Sequence, residues 1–190
     1  KKHNIPVTQT VMGYSSMKKD HTHYLGVIGG LGGRAANNLS KETDTAIAVG
    51  TKLADFTTGS WANFENPYFK LVSINAARFD ANKHMAQAIV GDAKVSLMEL
   101  SQALGSWKAD DSWHQKSRKE LKDWESYVDK ESGPTNKKLP SYAQVIGACY
   151  RNSDPTDIAV TAAGGVVGEV IQVRKPRELN THETEWGFSG

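Results

Sequence analysis

Asp44-Thr-Ala-Ile-Ala-Val-Gly-Thr-Lys-Leu-Ala-Asp-Phe-Thr-Thr-Gly-Ser60, followed by Leu71-Val-Ser-Ile-Asn-Ala-Ala-Arg-Phe-Asp-Ala-Asn-Lys-His84, decides the fold. Residues 46–51 and 71–76 are near-continuous apolar or β-branched runs, each ending in a polar loop. Strands of a parallel sheet read this way, because helices cover both faces and leave no solvated alternation. Residues 5–10 form a third such run. Helix candidates alternate with the strands: 33–41, then 81–88, then 93–104, where Val95, Leu97, Met98, Leu100 and Leu104 form an apolar stripe. The order βαβα predicts an α/β fold with a doubly wound, mainly parallel sheet. Ile89-Val90 offers one more short strand, and Asp92 is placed to cap the helix after it. His21-Thr-His-Tyr-Leu-Gly-Val-Ile-Gly29 is too polar and too interrupted by glycine to be read as a strand.

A chain of 190 residues with 38% hydrophobic residues can bury one core and a satellite. The 23 basic and 21 acidic residues nearly cancel, so nothing points to a nucleic-acid partner. Cys149 is the one cysteine, which rules out an internal disulfide and fits a reducing compartment. No apolar run is long enough for a membrane span, and a cytoplasmic protein is expected. Composition shifts at residues 106–138, where Lys, Asp, Glu and Ser dominate and Leu121, Trp124 and Val128 make one narrow stripe. That segment reads as a charged connecting helix, ended by Ser132-Gly133-Pro134. Beyond it, a capped helix from Ser141, a strand at 158–162 and a helix start at 168–173 begin a second unit.

Three constellations bear on chemistry. Gly30-Leu-Gly32-Gly-Arg34-Ala35 satisfies a dinucleotide fingerprint, in which glycines and a helix N-terminus cradle a pyrophosphate; the alternative is a glycine turn that packs a helix closely. Asp55-Phe-Thr-Thr-Gly-Ser60 lies at the carboxyl edge of the sheet, where open α/β folds bind ligands, but its hydroxyls also serve turns. Ile158-Ala-Val-Thr-Ala-Ala-Gly-Gly-Val-Val-Gly-Glu169 places strand, glycine turn and helix start in the order that suits phosphate oxygens. The six histidines show no zinc spacing, and no Gly-x-Ser-x-Gly elbow is present. No catalytic residue and no metal ligand is assigned.

Several of these stretches together carry a resemblance. Ile5-Pro-Val, Gly26 through Asn37, Ala48-Val-Gly-Thr with Asp55 to Ser60, Ile74-Asn75 with Asp80-Ala81 and Lys83-His84, Ala162-Ala-Gly-Gly165 with Gly168-Glu169, and Glu185-Trp-Gly-Phe-Ser189 occur in consistent order. They resemble the thiamine-diphosphate-dependent enzymes, and within them the trihydroxycyclohexane-1,2-dione hydrolases of inositol catabolism. The resemblance implies a Rossmann-like middle domain at 1–105 without its first strand and helix, a linker helix at 106–138, and the start of the cofactor-binding domain at 139–190. It places Gly164, Gly165, Gly168 and Glu169 at the loop facing the cofactor diphosphate, with Ser189 approaching from a second loop. Ile171 and Arg174 stand where such enzymes often carry His and Trp.

The implied activity opens a cyclic 1,2-diketone hydrolytically at a carbon–carbon bond, with thiamine diphosphate and Mg2+ as cofactors. The family's activating glutamate and its Gly-Asp-Gly magnesium segment are not among these residues, so this chain alone is expected to be inactive and to hold no cofactor tightly. Expected partners are the rest of a parent chain, the small cyclic diketone and further copies in a homo-oligomer, with no nucleic acid and no membrane. Two other readings stay open: a different thiamine-diphosphate enzyme such as acetolactate synthase, and a non-enzymatic module binding NAD, FAD or ADP at Gly30, Gly32 and Arg34.

Overall fold

The computed structural model describes residues 1–185. Every described strand pair is parallel, and the strands form three sheets. β1 (Val7–Gln9) pairs with β2 (Tyr24–Val27), β3 (Thr45–Val49) and β5 (Gln87–Val90) flank β4 (Lys70–Asn75), and β6 (Ala159–Ala162) pairs with β7 (His182–Glu185). The helices are α1 (Arg34–Glu42), α2 (Asp55–Thr58), α3 (Arg78–Ala81), α4 (Ala93–Leu104), α5 (Asp111–Glu131), α6 (Tyr142–Asn152) and α7 (Val166–Val173). The class is the parallel, Rossmann-like α/β arrangement that the strand pattern predicts. Its strands are hydrogen-bonded as separate sheets, not as one continuous sheet. Among the described residues no helix is long and apolar enough to cross a membrane.

β3 and β4 run in register from Thr45 opposite Lys70 to Val49 opposite Ile74, and Ile74 is fully buried. Asp92 caps α4 by accepting the Val95 N–H at 2.9 Å. Ser141 and Gln144 close a reciprocal capping box at the start of α6, which satisfies two backbone donors that helix geometry leaves free. α6 then sits tightly on the end of α5: a Cβ at Gly147 would lie 2.2 Å from the Ser132 carbonyl oxygen.

Two apolar clusters lie around β2. One joins Tyr24, Leu25 and Ile28 to Ala35, Ala36 and Leu39 of α1 and to Leu121 of α5, with Met17, Phe64, Trp113 and Trp124 packed against it. The other joins Val11, Tyr14 and Val27 to Val167 and Ile171 of α7, with Leu31 against it. The segment expected not to be a strand is therefore β2, at the centre of the packing. Gly26 accommodates a φ of 93° within it, and burial on both sides outweighs the polar residues that precede it.

Two further expectations are corrected. Residues 81–88 do not form a helix: α3 ends at Ala81, His84 and Met85 adopt φ of 59° and 55°, and Gln87 to Val90 pair with β4 instead. The ladder hydrogen bonds of β5 outweigh a local helical spacing that had few apolar residues to bury. α4 has its expected bounds, but its apolar stripe is covered only in part, with Leu100 and Leu104 half-buried. Val95, Leu97 and Met98 are exposed, while Ser96 is the buried residue of that helix.

Candidate functional site

The glycine turn between β2 and α1 is a joint. Gly29 has a φ of 107°, and a Cβ there would lie 2.0 Å from the Phe56 carbonyl oxygen. A Cβ at Gly32 would meet the Val27 carbonyl oxygen at 2.2 Å, and one at Gly33 the Trp124 Nε1 at 2.5 Å. The backbone donors are committed as well. Gly30 N–H donates to Phe56 at 2.7 Å, Gly32 N–H to Gly29 at 2.9 Å and Gly33 N–H to Val27 at 2.9 Å. Gly29 N–H donates to Asn37 Oδ1 at 2.9 Å, and Asn37 Nδ2 returns a bond to the Gly29 carbonyl at 3.0 Å. Arg34 turns outward over the rings of Trp124 and Tyr127, at 5.7 and 5.4 Å. A pyrophosphate cradle needs free N–H groups and open backbone; the Gly30 and Gly32 N–H groups are both committed, and Gly32, unlike the exposed Gly30, is also closed off by Val27. Asn37, which sequence reading passed over, is the clamp of the turn, and Asn63 Nδ2 joins the same network at 3.2 Å.

The loops after β3 and β4 are tied to one another. Asn75 Nδ2 donates to the Thr51 carbonyl at 3.2 Å, and Asn75 Oδ1 accepts the Ala77 N–H at 2.9 Å. Thr58 is fully buried and its hydroxyl accepts the Trp61 N–H at 3.2 Å, so this threonine of the Asp55 to Ser60 stretch serves the turn. His84 packs on Trp61, with ring centroids 4.5 Å apart.

The third constellation is open. Among the described residues nothing lies within 4 Å of a Cβ built on Gly164 or Gly165, and both are exposed immediately before α7. Gly164 adopts a φ of 130°, a conformation that favours glycine. Gly168, by contrast, is buried: its Cβ would lie 3.4 Å from Leu31 Cδ2, so it lets α7 approach the first glycine turn. Glu169 is half-buried in the first turn of α7. Ser189 lies outside the described residues. The structure thus brings Gly168 against Leu31, between Gly30 and Gly32, and leaves Gly164 and Gly165 facing open space.

The central-domain family of thiamine pyrophosphate enzymes matches residues 1–100. This chain belongs to the thiamine-diphosphate enzymes. Relatives extend the similarity to nearly the whole chain. A 3D-(3,5/4)-trihydroxycyclohexane-1,2-dione hydrolase of Clostridium perfringens is 29% identical over 209 residues, covering 98% of this chain and 33% of the relative. Proteins of the same name from Geobacillus thermodenitrificans and Clostridium botulinum are 30% and 32% identical, covering 99% and 98% of this chain and 32% of each relative. The chain spans about a third of the length of the curated relatives it matches.

For a thiamine-diphosphate enzyme, the turn before α7 fits one part of the cofactor. Exposed glycines at a helix start offer backbone donors and room to phosphate oxygens. Among the described residues, however, no group of three or more His, Cys, Asp or Glu is arranged to hold a metal ion. Scattered in sequence, His21, His23 and His114 do meet: His23 stacks on His114 at 4.4 Å, and His21 lies 5.9 Å from His23.

Burial lowers the pKa of His23 to about 4, and burial reinforced by the Arg174 guanidinium lowers that of His182 to about 4. The unfolded chain takes up these protons near pH ~6.5, whereas the folded chain resists them until near pH 4. Stability contributed by the neutral rings is therefore complete above about pH 6.5 and is lost as the pH falls toward about 4. Urea midpoints measured through this window should decline with acidification. His23→Gln and His182→Gln should each flatten the decline, and an unchanged slope in both variants would contradict the assignment.

Proposed function

We propose that this chain is the central portion of a thiamine-diphosphate-dependent enzyme that hydrolyses a carbon–carbon bond of a cyclic 1,2-diketone in inositol catabolism. The observation that carries the reading is the reach of the similarity. It does not stop with the central-domain match at residue 100 but covers 98% of the chain in relatives named for that dione hydrolase. When bound, thiamine diphosphate supplies the electron sink for breaking the bond. The residues of this chain bind and orient. Gly164 and Gly165 present backbone donors to the diphosphate, Gly168 seats α7 on Leu31 so that the donors keep their aim, and Glu169 flanks the loop. Mg2+ and the proton-transferring groups are held by other parts of the enzyme, together with further copies in a homo-oligomer.

Two measurements test this. Calorimetric titration of the present chain with thiamine diphosphate and Mg2+ should show no binding tighter than about 1 μM, since its sequence holds no Gly-Asp-Gly magnesium segment. The chain expressed with its flanking coding sequence should open trihydroxycyclohexane-1,2-dione in the presence of both cofactors. Gly165 has an ordinary helical φ of −65° and open space around it, so Gly165→Ala should fold normally. It should nevertheless raise the cofactor dissociation constant of that longer protein about tenfold by crowding the diphosphate. Pyruvate condensation without ring opening would shift the reading to the acetolactate synthase branch, and unchanged cofactor affinity in the variant would remove Gly165 from the diphosphate loop.

A further inference from the structure

Four side chains from four segments carry polar atoms into the interior and leave them buried without a hydrogen-bond partner: the Tyr14 hydroxyl before β2, the Tyr150 hydroxyl on α6, Arg174 Nη1 at the end of α7 and His182 Nδ1 on β7. Tyr14 and Arg174 are only 5% and 7% exposed. The Tyr14 and His182 rings meet edge to face, with centroids 4.7 Å apart. The Arg174 charge acts on both of them, and Tyr150 acts on Tyr14, so the four groups share one neighbourhood. They are near enough to feel one another, yet none of these atoms bonds to another.

The cluster is rich in donors and carries one positive charge. A guanidinium stays charged and only donates. Arg174 Nη2 is spent on a neutral acceptor, the Asp157 carbonyl at 2.7 Å, and among the described residues the guanidinium takes part in no ion pair. Burial raises the Tyr14 phenol well above its ordinary range, so it remains an O–H donor. His182 Nε2 lies 2.9 Å from the Thr184 hydroxyl; with that hydroxyl donating to Nε2, the ring carries its hydrogen on Nδ1. A buried cation without a countercharge is among the costliest arrangements in a protein, and it is retained where something of opposite charge completes it.

We propose that the interior between Tyr14, Tyr150, Arg174 and His182 binds a monovalent anion of chloride size, which accepts hydrogen bonds from Arg174 Nη1, the two phenols and His182 Nδ1. An anion answers the charge as well as the unpaired donors, whereas water answers only the donors. Tyr14 packs among Val11, Val167 and Ile171, an apolar surround that selects a small ion able to shed its water over strongly hydrated sulfate or phosphate. The ion ties Tyr14, inside the central-domain match, to α6, α7 and β7 beyond it. None of the four residues belongs to the glycine turn before α7, so the test does not depend on whether that turn meets a diphosphate.

Chloride is the probe, exchanged for gluconate at constant ionic strength on the whole chain. Because the four atoms are buried, the ion enters by local opening, and samples are equilibrated before measurement. The melting temperature should rise in proportion to the logarithm of chloride concentration once the site fills, and bromide should act alike. Near-ultraviolet tyrosine absorbance should change over the same concentration range, since two phenols donate to the ion. Tyr14→Phe and Tyr150→Phe should each weaken chloride about tenfold by removing one hydrogen bond to a charged group, and Arg174→Met should abolish the response. Should Arg174→Met fail to fold, the two phenylalanine variants decide the matter. A melting temperature indifferent to the exchange of gluconate for chloride, the result expected if water alone fills the cluster, would overturn the proposal. So would an equal chloride response in the unsubstituted chain and both phenylalanine variants, or equal stabilisation by sulfate.

Discussion

Replacing Gly29 with alanine should lower the stability of the chain by about 3 kcal/mol or more, the largest effect expected of any single methyl group added to it. Two costs coincide there. The φ of 107° disfavours any L side chain, and the new carbon would lie 2.0 Å from a backbone oxygen of Phe56, which cannot rotate away. Neighbouring glycines separate the two causes. Gly50 has a φ of 64° with nothing within 4 Å of its Cβ position, so Gly50→Ala should cost only the conformational part, about 1 kcal/mol. Gly32 lies outside the left-handed region yet would clash at 2.2 Å with Val27, so Gly32→Ala should cost about 2 kcal/mol through packing alone. Urea denaturation ranks the three. Equal losses at Gly29 and Gly50 would show that the Phe56 loop yields to the added carbon, and the turn would then not be the joint described.

Leu121→Ala should cost about 3 kcal/mol by the same measurement, because the residue is 3% exposed and its cavity would be bounded by α1 and β2, which are fixed by their own hydrogen bonds. The prediction concerns more than one leucine. α5 is charged along most of its length, which is why its sequence reads as a connecting helix. Yet Leu121 belongs to the cluster around Leu25 and Leu39, and Trp113 and Trp124 pack beside it. Ion pairing adds a surface seam, with Lys116 paired to Glu42 and Asn38 Nδ2 donating to Glu120 at 3.1 Å. A loss below about 1 kcal/mol, the range of a surface substitution, would mean that α5 rests on the core without completing it.

The loops singled out in the sequence proved unequal as sites for reasons that lie in space. Gly30 to Ala35 and Ala163 to Glu169 both place glycines before a helix, and a fingerprint does not distinguish them. The first is enclosed by Phe56, Val27 and Trp124, which arrive from three other segments, while Gly164 and Gly165 have no described neighbour at Cβ distance. Asn75, at the end of β4, is a bridge between two loops. Nor could a departure such as Arg174 announce itself, since a buried unpaired guanidinium is visible only once Asp157, Tyr150 and α6 surround it.

Sequence alone determined the parallel α/β class, the bounds and cap of α4, the strands β3 and β4, and the family. Those properties follow from short-range order: an apolar run long enough for a strand, an acid at the N-cap, and motifs in a fixed succession along the chain. Tertiary structure alone decided that the glycine-interrupted segment at Tyr24–Val27 is a central strand, that residues 81–88 break into a turn and a strand, and that the apolar stripe of α4 is covered only in part. Each of these depends on what a distant segment places against the residue. Burial on both sides can draw a polar-flanked stretch into a strand, ladder pairing can overrule a helical spacing, and an apolar face is buried only as far as its partner element reaches.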